Sequence, residues 1–192
     1  MAGEGTGVAP SRVAVDRRET VLESALVTFA RFGYRKASME QVAQDAGISR
    51  PGLYFMFTSK EDLFRTAVSQ ALERDLAAVG DTLLDTDRSL PVRLLDSFDH
   101  WAGRYIGPMV RDIAGVVEDN PDLLGTMTDV MPARFADLVT RAITAGLPLV
   151  STTVAEEVAQ TLISTSVGVK QQVATRDEYL ARMTVAIRVV LR

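Results

Sequence analysis

From Asp16 onward, apolar residues recur at helical spacing almost without interruption, and that period restricts the fold more than any other feature. Leu22, Ala25, Leu26 and Phe29 stand at i, i+3, i+4 and i+7, with Gly33 placed to stop the helix. Leu63, Phe64, Ala67, Val68, Ala71 and Leu72 form a second stripe, which Gly80 is expected to close. A third carries Leu94, Leu95, Phe98, Trp101 and Tyr105 as far as the break at Gly107-Pro108. Asn120-Pro121 signals another helix start, and Pro132 either kinks or restarts that helix before Phe135, Leu138, Val139, Ala142 and Ile143. Thr153 with Glu156 predicts a capping box ahead of Val154, Val158, Leu162, Val169 and Val173. Leu180, Met183, Ile187, Val190 and Leu191 mark the last helix. Residues 147–153 are the one β-like run and read better as a loop. The chain is therefore expected to be all-α, with about nine helices.

Composition narrows the function classes. A chain of 192 residues with 47% apolar content can bury a real core. Its net charge of -4 argues against a nucleic-acid partner when taken alone. The charge is uneven, however: residues 1–65 hold nine Lys/Arg against eight Asp/Glu, so the acidic excess belongs to the remainder. A basic face near the N-terminus is compatible with that balance. The absence of cysteine removes disulfides, thiolate metal sites and thiol nucleophiles. With a single histidine and no nucleophile-elbow, phosphate-loop or zinc-protease pattern, neither an enzyme nor a metal or cofactor is expected. No apolar run reaches membrane-spanning length and the start carries no signal-peptide core, so a cytoplasmic protein is the default.

Residues 1–15 read as a disordered tail; the GEGTG of residues 3–7 follows no strand and is not a phosphate loop. Arg12, Arg17 and Arg18 precede the first stripe and could form a basic arm or a solvated cluster. The local pattern then sharpens. Ser38 with Gln41 makes a capping box for a short helix bearing Met39, Val42 and Ala43. Asp45-Ala46-Gly47 is a turn, and Ser49 can cap a second short helix in which Pro51 falls on the permissive first turn. Ser59 with Asp62 opens a long helix. Two short helices about a glycine turn, covered by a third helix at 22–29, are the helix-turn-helix plan, whose second helix enters the major groove of DNA. Leu53, Phe57 and Met56 would pack inward. Ser49, Arg50, Gly52 and Tyr54 would stay on the outer, N-terminal half, Gly52 allowing close approach to a backbone. Lys60 adds a cation to the start of the next helix.

These residues also resemble the DNA-binding domain of the TetR (tetracycline-repressor-like) family. The match covers residues 18–68 and rests on Ala25, Phe29, Gly33 and Tyr34, on the S-M-x-x-V-A-x-x-A-G-I-S run of residues 38–49, and on L-Y-x-x-F-x-S-K-x-x-L-F at 53–64. The resemblance implies a homodimeric, ligand-responsive transcriptional regulator, usually a repressor, acting on double-stranded DNA with a palindromic operator. It implies that Ser38 contacts phosphate, that Arg50, Pro51, Gly52 and Phe55 face base edges, and that Tyr54 and Lys60 anchor phosphates. One departure stands out: where the family often carries a phosphate-touching polar aromatic or histidine, this chain has Met56. Phe55 likewise suggests apolar contact, for instance with a thymine methyl.

The expected organisation is a DNA-binding domain at 16–60 and a helical effector-binding and dimerisation domain at 61–192, joined by a helix over about 60–79. Helix-turn-helix dimers must hold two readers one turn of DNA apart, roughly 34–36 Å. A four-helix interface from the last two helices of each subunit would do so, with Val158, Leu162, Ser166, Val169, Val173, Met183, Ile187 and Val190 as candidates. Phe98, His100, Trp101, Tyr105, Met109, Met127, Met131, Phe135 and Gln171 are candidates to line a pocket for a mostly apolar small molecule. The same side chains could instead be plain core, in which case the regulator answers to a partner protein or to no ligand. Nothing in the sequence decides between repressor and activator.

Overall fold

The computed structural model describes residues 12–107 and 121–192. Among them are eight α-helices, two short 3-10 turns and no strand. The chain divides into two compact units, one ending at Val68 and the other beginning at Ser69.

In the first unit, α1 spans Arg12–Lys36, α2 Met39–Asp45 and α3 Arg50–Met56, and the start of α4, Lys60–Leu84, completes it. Arg12, Arg17 and Arg18 thus lie within α1 and do not precede it. Gly33 breaks the helical backbone at φ 73°, a conformation that costs glycine little and L-residues much. Val21, Leu22, Ala25 and Phe29 are buried on one face of α1. Leu63, Phe64 and Ala67 of α4 are buried too, and Phe29 lies edge-on to Phe64 at 5.1 Å. The Ser38 hydroxyl accepts from the Gln41 amide at 3.1 Å and Ser49 from Gly52 at 3.2 Å, so both caps form, while the Gln41 side chain donates to Asp45 at 3.0 Å in place of completing the expected box. At the start of α4, Ser59 accepts from Asp62, while the Asp62 carboxylate turns back to the Thr58 amide, one residue earlier than a standard box.

In the second unit, α5 spans Leu90–Trp101, α6 Met127–Gly146, α7 Thr152–Gln172 and α8 Arg176–Val190. Leu76 and Val79 of α4, Leu94 and Phe98 of α5, Phe135 and Val139 of α6, Leu162 of α7 and Met183 of α8 share one buried core. Gly80 does not end α4, which continues to Leu84; a mid-helix glycine costs only about 1 kcal/mol against alanine, and flanking core residues offset it. α5 stops at Trp101, short of Gly107, and one 3-10 turn follows at Gly103–Tyr105. Pro121–Leu123 forms a single 3-10 turn, so α6 begins later than Asn120-Pro121 predicts and runs unbroken through Pro132. The cap of α7 is Ser151, accepting from Val154, and not Thr153. A full capping box appears instead at Thr175 and Glu178 on α8.

α8 is fastened to the body by two side chains. Tyr179 is fully buried, its hydroxyl 2.6 Å from Ser166 Oγ on α7, and burial pushes its pKa up to about 12. Arg176 grips the Asp99 carboxylate with two donors, the Nε bond measuring 2.7 Å. Gly103 permits this approach: a Cβ there would fall 2.6 Å from Asp99 Oδ1 and 2.9 Å from the Tyr179 ring.

Candidate nucleic-acid interface

The reading hairpin is α2, the turn at Gly47 and α3. Gly47 has φ 64°, and the Ile48 amide returns to the Ala43 carbonyl at 2.9 Å, closing the turn. The hairpin is tied to α1 by Thr28, a buried hydroxyl that donates to Asp45 Oδ2 at 2.8 Å. That bond, with a second from Gln41, holds the Asp45 carboxyl below its ordinary pKa.

Burial sorts α3 into two faces. Leu53 and Phe57 are inside and Met56 is half-buried. Arg50, Pro51, Tyr54 and Phe55 stand at i, i+1, i+4 and i+5 and form one exposed strip. Phe55 is 92% exposed, whereas Phe29, Phe57, Phe64, Phe98 and Phe135 are almost wholly buried. Arg50 lies 5.7 Å from the Tyr54 ring centre and 3.6 Å from Glu40, both within the strip's surroundings on solvent. Ser38 and Ser49 are exposed at the starts of their helices, and Gly52 is half-buried.

Lys60 behaves differently from expectation. Its ammonium donates to the carbonyls of Tyr34 at 2.9 Å and Ala37 at 3.2 Å, with Arg35 at 3.5 Å, and sits over the Tyr34 ring. The cation closes the C-terminal end of α1 and is not held out for a phosphate. Arg18, read from sequence as part of a basic arm or a solvated cluster, is also engaged: it donates to the Met56 carbonyl at 3.2 Å and lies 4.3 Å over the Phe57 ring. The sequence signal for both is the preference of basic side chains for helix C-termini, but their carbonyl partners are tertiary.

The family described as "Bacterial regulatory proteins, tetR family" matches residues 21–67, the span of this three-helix arrangement. That stretch is a TetR-family DNA-binding domain. The transcriptional regulator RutR of Escherichia coli K12 is 37% identical over 67 residues, 35% of this chain and 32% of RutR, so the match spans about a third of that relative. The fold likeness is wider. A chain from Mesorhizobium loti assigned to the same family superposes with a TM-score of 0.75 at 17% identity, covering 95% of this chain and 98% of that one. A protein from Saccharomonospora viridis, solved in complex with choline, gives 0.72 at 18% identity, covering 91% and 96%.

The second unit gathers part of the candidate effector set. Phe98 meets Phe135 edge-on at 5.3 Å, and Trp101 stacks flat on Phe135 at 4.9 Å. Met131 is buried, and His100 and Met127 are half-buried. Tyr105 donates its hydroxyl to the buried Asp75, which Arg104 also approaches at 3.3 Å. Burial raises the pKa of both Asp75 and Tyr105. Gln171 is a surface residue of α7, and Met109 lies outside the described residues.

The dimer candidates need correction. Leu162, Ser166, Met183 and Ile187 are buried within one chain, and Val169 and Val173 nearly so, so they serve intrachain packing. Val158 and Val190 remain half-buried. The outer sides of the two helices carry Ser164, Val167 and Gln171 on α7 and Ala181, Val185 and Val189 on α8, all exposed, with Gly168 half-buried.

Proposed function

We propose that this chain is a sequence-specific DNA-binding transcriptional regulator that works as a homodimer in the cytoplasm and represses by occupying a palindromic operator. The exposed strip of Arg50, Pro51, Tyr54 and Phe55 on α3 carries the reading, because a helix held from behind by Leu53 and Phe57 leaves those side chains for base edges and phosphates. Ser38 and Ser49 stand beside the strip and Gly52 leaves room for a sugar-phosphate backbone. The two copies of α3 would be spaced by pairing of α7 and α8, through Val167, Gly168, Val185 and Val189, with Val158 and Val190 at the margin. The test is binding of the purified protein to DNA upstream of its own gene at two salt concentrations. Binding that is tight, salt-sensitive and resistant to nonspecific competitor supports the reading; weak, competitor-sensitive binding refutes it.

The regulator is proposed to release its operator when a mostly apolar small molecule enters the second unit near Trp101, Tyr105, Met127 and Phe135. The choline complex of the S. viridis protein supports a small-molecule site in this fold. α4 contributes Leu63 and Phe64 to one unit and Leu76 and Val79 to the other, so a ligand favouring one setting of α4 would shift the population of operator-competent dimers. A second reading, control by a partner protein or by no ligand, is favoured by the stacked packing of Trp101 on Phe135. Trp101 is the single tryptophan, so its fluorescence separates the two: a ligand that changes the emission and also weakens operator binding supports effector control.

A further inference from the structure

We propose that Arg18 is a positioning residue for DNA reading, setting α3 against α1 without touching DNA itself. The inference rests on the DNA-binding reading above. α3 has only seven residues, too few to be stable alone. Its N-terminus is closed by Ser49, but the last carbonyls of a helix have no partner in their own helix. Arg18, 38 residues away on α1, supplies a donor to Met56 O and a positive charge at the negative end of α3. The same guanidinium lies 4.3 Å from the ring centre of Phe57, the buried residue at which the chain turns extended. One side chain therefore fixes both the final carbonyl and the final ring of α3. The rotation of the helix about its axis follows, and with it the direction of Tyr54 and Phe55.

The rival role for an exposed arginine here is a phosphate contact, and the two make opposite predictions. A phosphate contact weakens binding to any sequence when removed and lowers the salt slope by about 0.9. A positioning residue lowers specific binding alone. The experiment compares wild type, Arg18→Ala and Arg18→Gln, full-length, on the upstream duplex and on a scrambled duplex across a salt series. Amide exchange is followed in parallel at residues 53–57, with Val42 of α2 and its C-cap Ala46 as the internal reference. Arg18→Ala should lose about three- to tenfold in affinity for the upstream duplex, the range for one hydrogen bond. Its salt slope and scrambled-duplex binding should stay unchanged, and exchange should quicken in α3 and not in α2. Glutamine keeps a planar donor without charge and should restore most of the loss.

A fallen salt slope in both variants, with exchange unaltered, would overturn the proposal in favour of a phosphate contact. Equal acceleration of α2 and α3 would overturn it in favour of general stability. If even wild type binds no duplex specifically, the regulator reading fails, and the α3 exchange still decides whether Arg18 holds the helix.

Discussion

The Lys60 ammonium lies 2.9 Å from the Tyr34 carbonyl and 4.6 Å from the centre of the Tyr34 ring, so one lysine at the head of α4 closes the tail of α1. Arg18 does the same for α3, and the buried Arg93 donates to the Leu83 carbonyl at 2.5 Å near the end of α4. Basic side chains from other helices thus satisfy carbonyls that a helix leaves unpaired at its end.

Lys60→Met should lower the unfolding free energy by roughly 1–2 kcal/mol, as expected for charged hydrogen bonds that are partly solvated. Denaturant titration measures the loss. Operator affinity of the folded variant should keep its salt slope; a slope reduced by about 0.9 would instead return Lys60 to phosphate anchoring.

Phe55→Ala should leave stability within about 0.5 kcal/mol, since the ring packs against little of its own chain. Operator affinity should nevertheless fall roughly tenfold, the scale for burying much of a phenyl group. Replacing operator thymines by uracil should weaken wild type at one position per half-site and leave Phe55→Ala indifferent there. If the uracil scan is flat, the methyl contact is wrong.

Val167→Glu combined with Val185→Glu should convert the protein to its 20.9 kDa monomer in the ultracentrifuge at micromolar concentration. Leu162→Ala should act differently, costing about 2–5 kcal/mol of stability through a core cavity. A double glutamate variant that remains dimeric would place the interface elsewhere.

Stability should decline in alkali. The Tyr179 hydroxyl is raised from 10 to about 12 by burial, so the folded state holds its proton more tightly than the unfolded chain does. Its contribution is complete below pH 10 and is lost between about 10 and 12. Tyr105 is shifted in the same direction. Unfolding free energy should fall over that interval, less steeply in Tyr179→Phe than in wild type. The substitution should also cost about 1–2 kcal/mol at neutral pH by leaving Ser166 without its tyrosine partner.

The reading hairpin was legible because its determinants are local. Ser38, Gly47 and Ser49 each act on residues within five positions, and spacing alone announces them. Legibility failed where a choice depended on distant neighbours. Thr153 and Ser151 are both competent caps by residue type, and spacing alone does not tell that the helix starts at Ser151. Gly80 looks like a stop until Leu76, Val79 and Leu83 bury on either side of it. The stripes of α7 and α8 announce that the helices pack, but not which valines face the chain's own core. For that reason the sequence alone offers Leu162 and Met183 as interface candidates, whereas the structure buries both and leaves Val167 and Val185 exposed. Lys60 and Arg18 were read as free cations because sequence spacing does not reveal a carbonyl 23 or 38 residues away.

The Thr28–Asp45 bond has a consequence for how such a regulator changes over time. It joins α1 to the last residue of α2, so sliding of the hairpin along α1 would break it and leave the buried Thr28 hydroxyl only its bond to the Ser24 carbonyl. If the hairpin reads DNA as proposed, this bond would help keep its register on α1 when residues elsewhere change. Under the proposed function, a lineage carrying this bond could trade one inducing signal for another while its target sites in the genome stay valid.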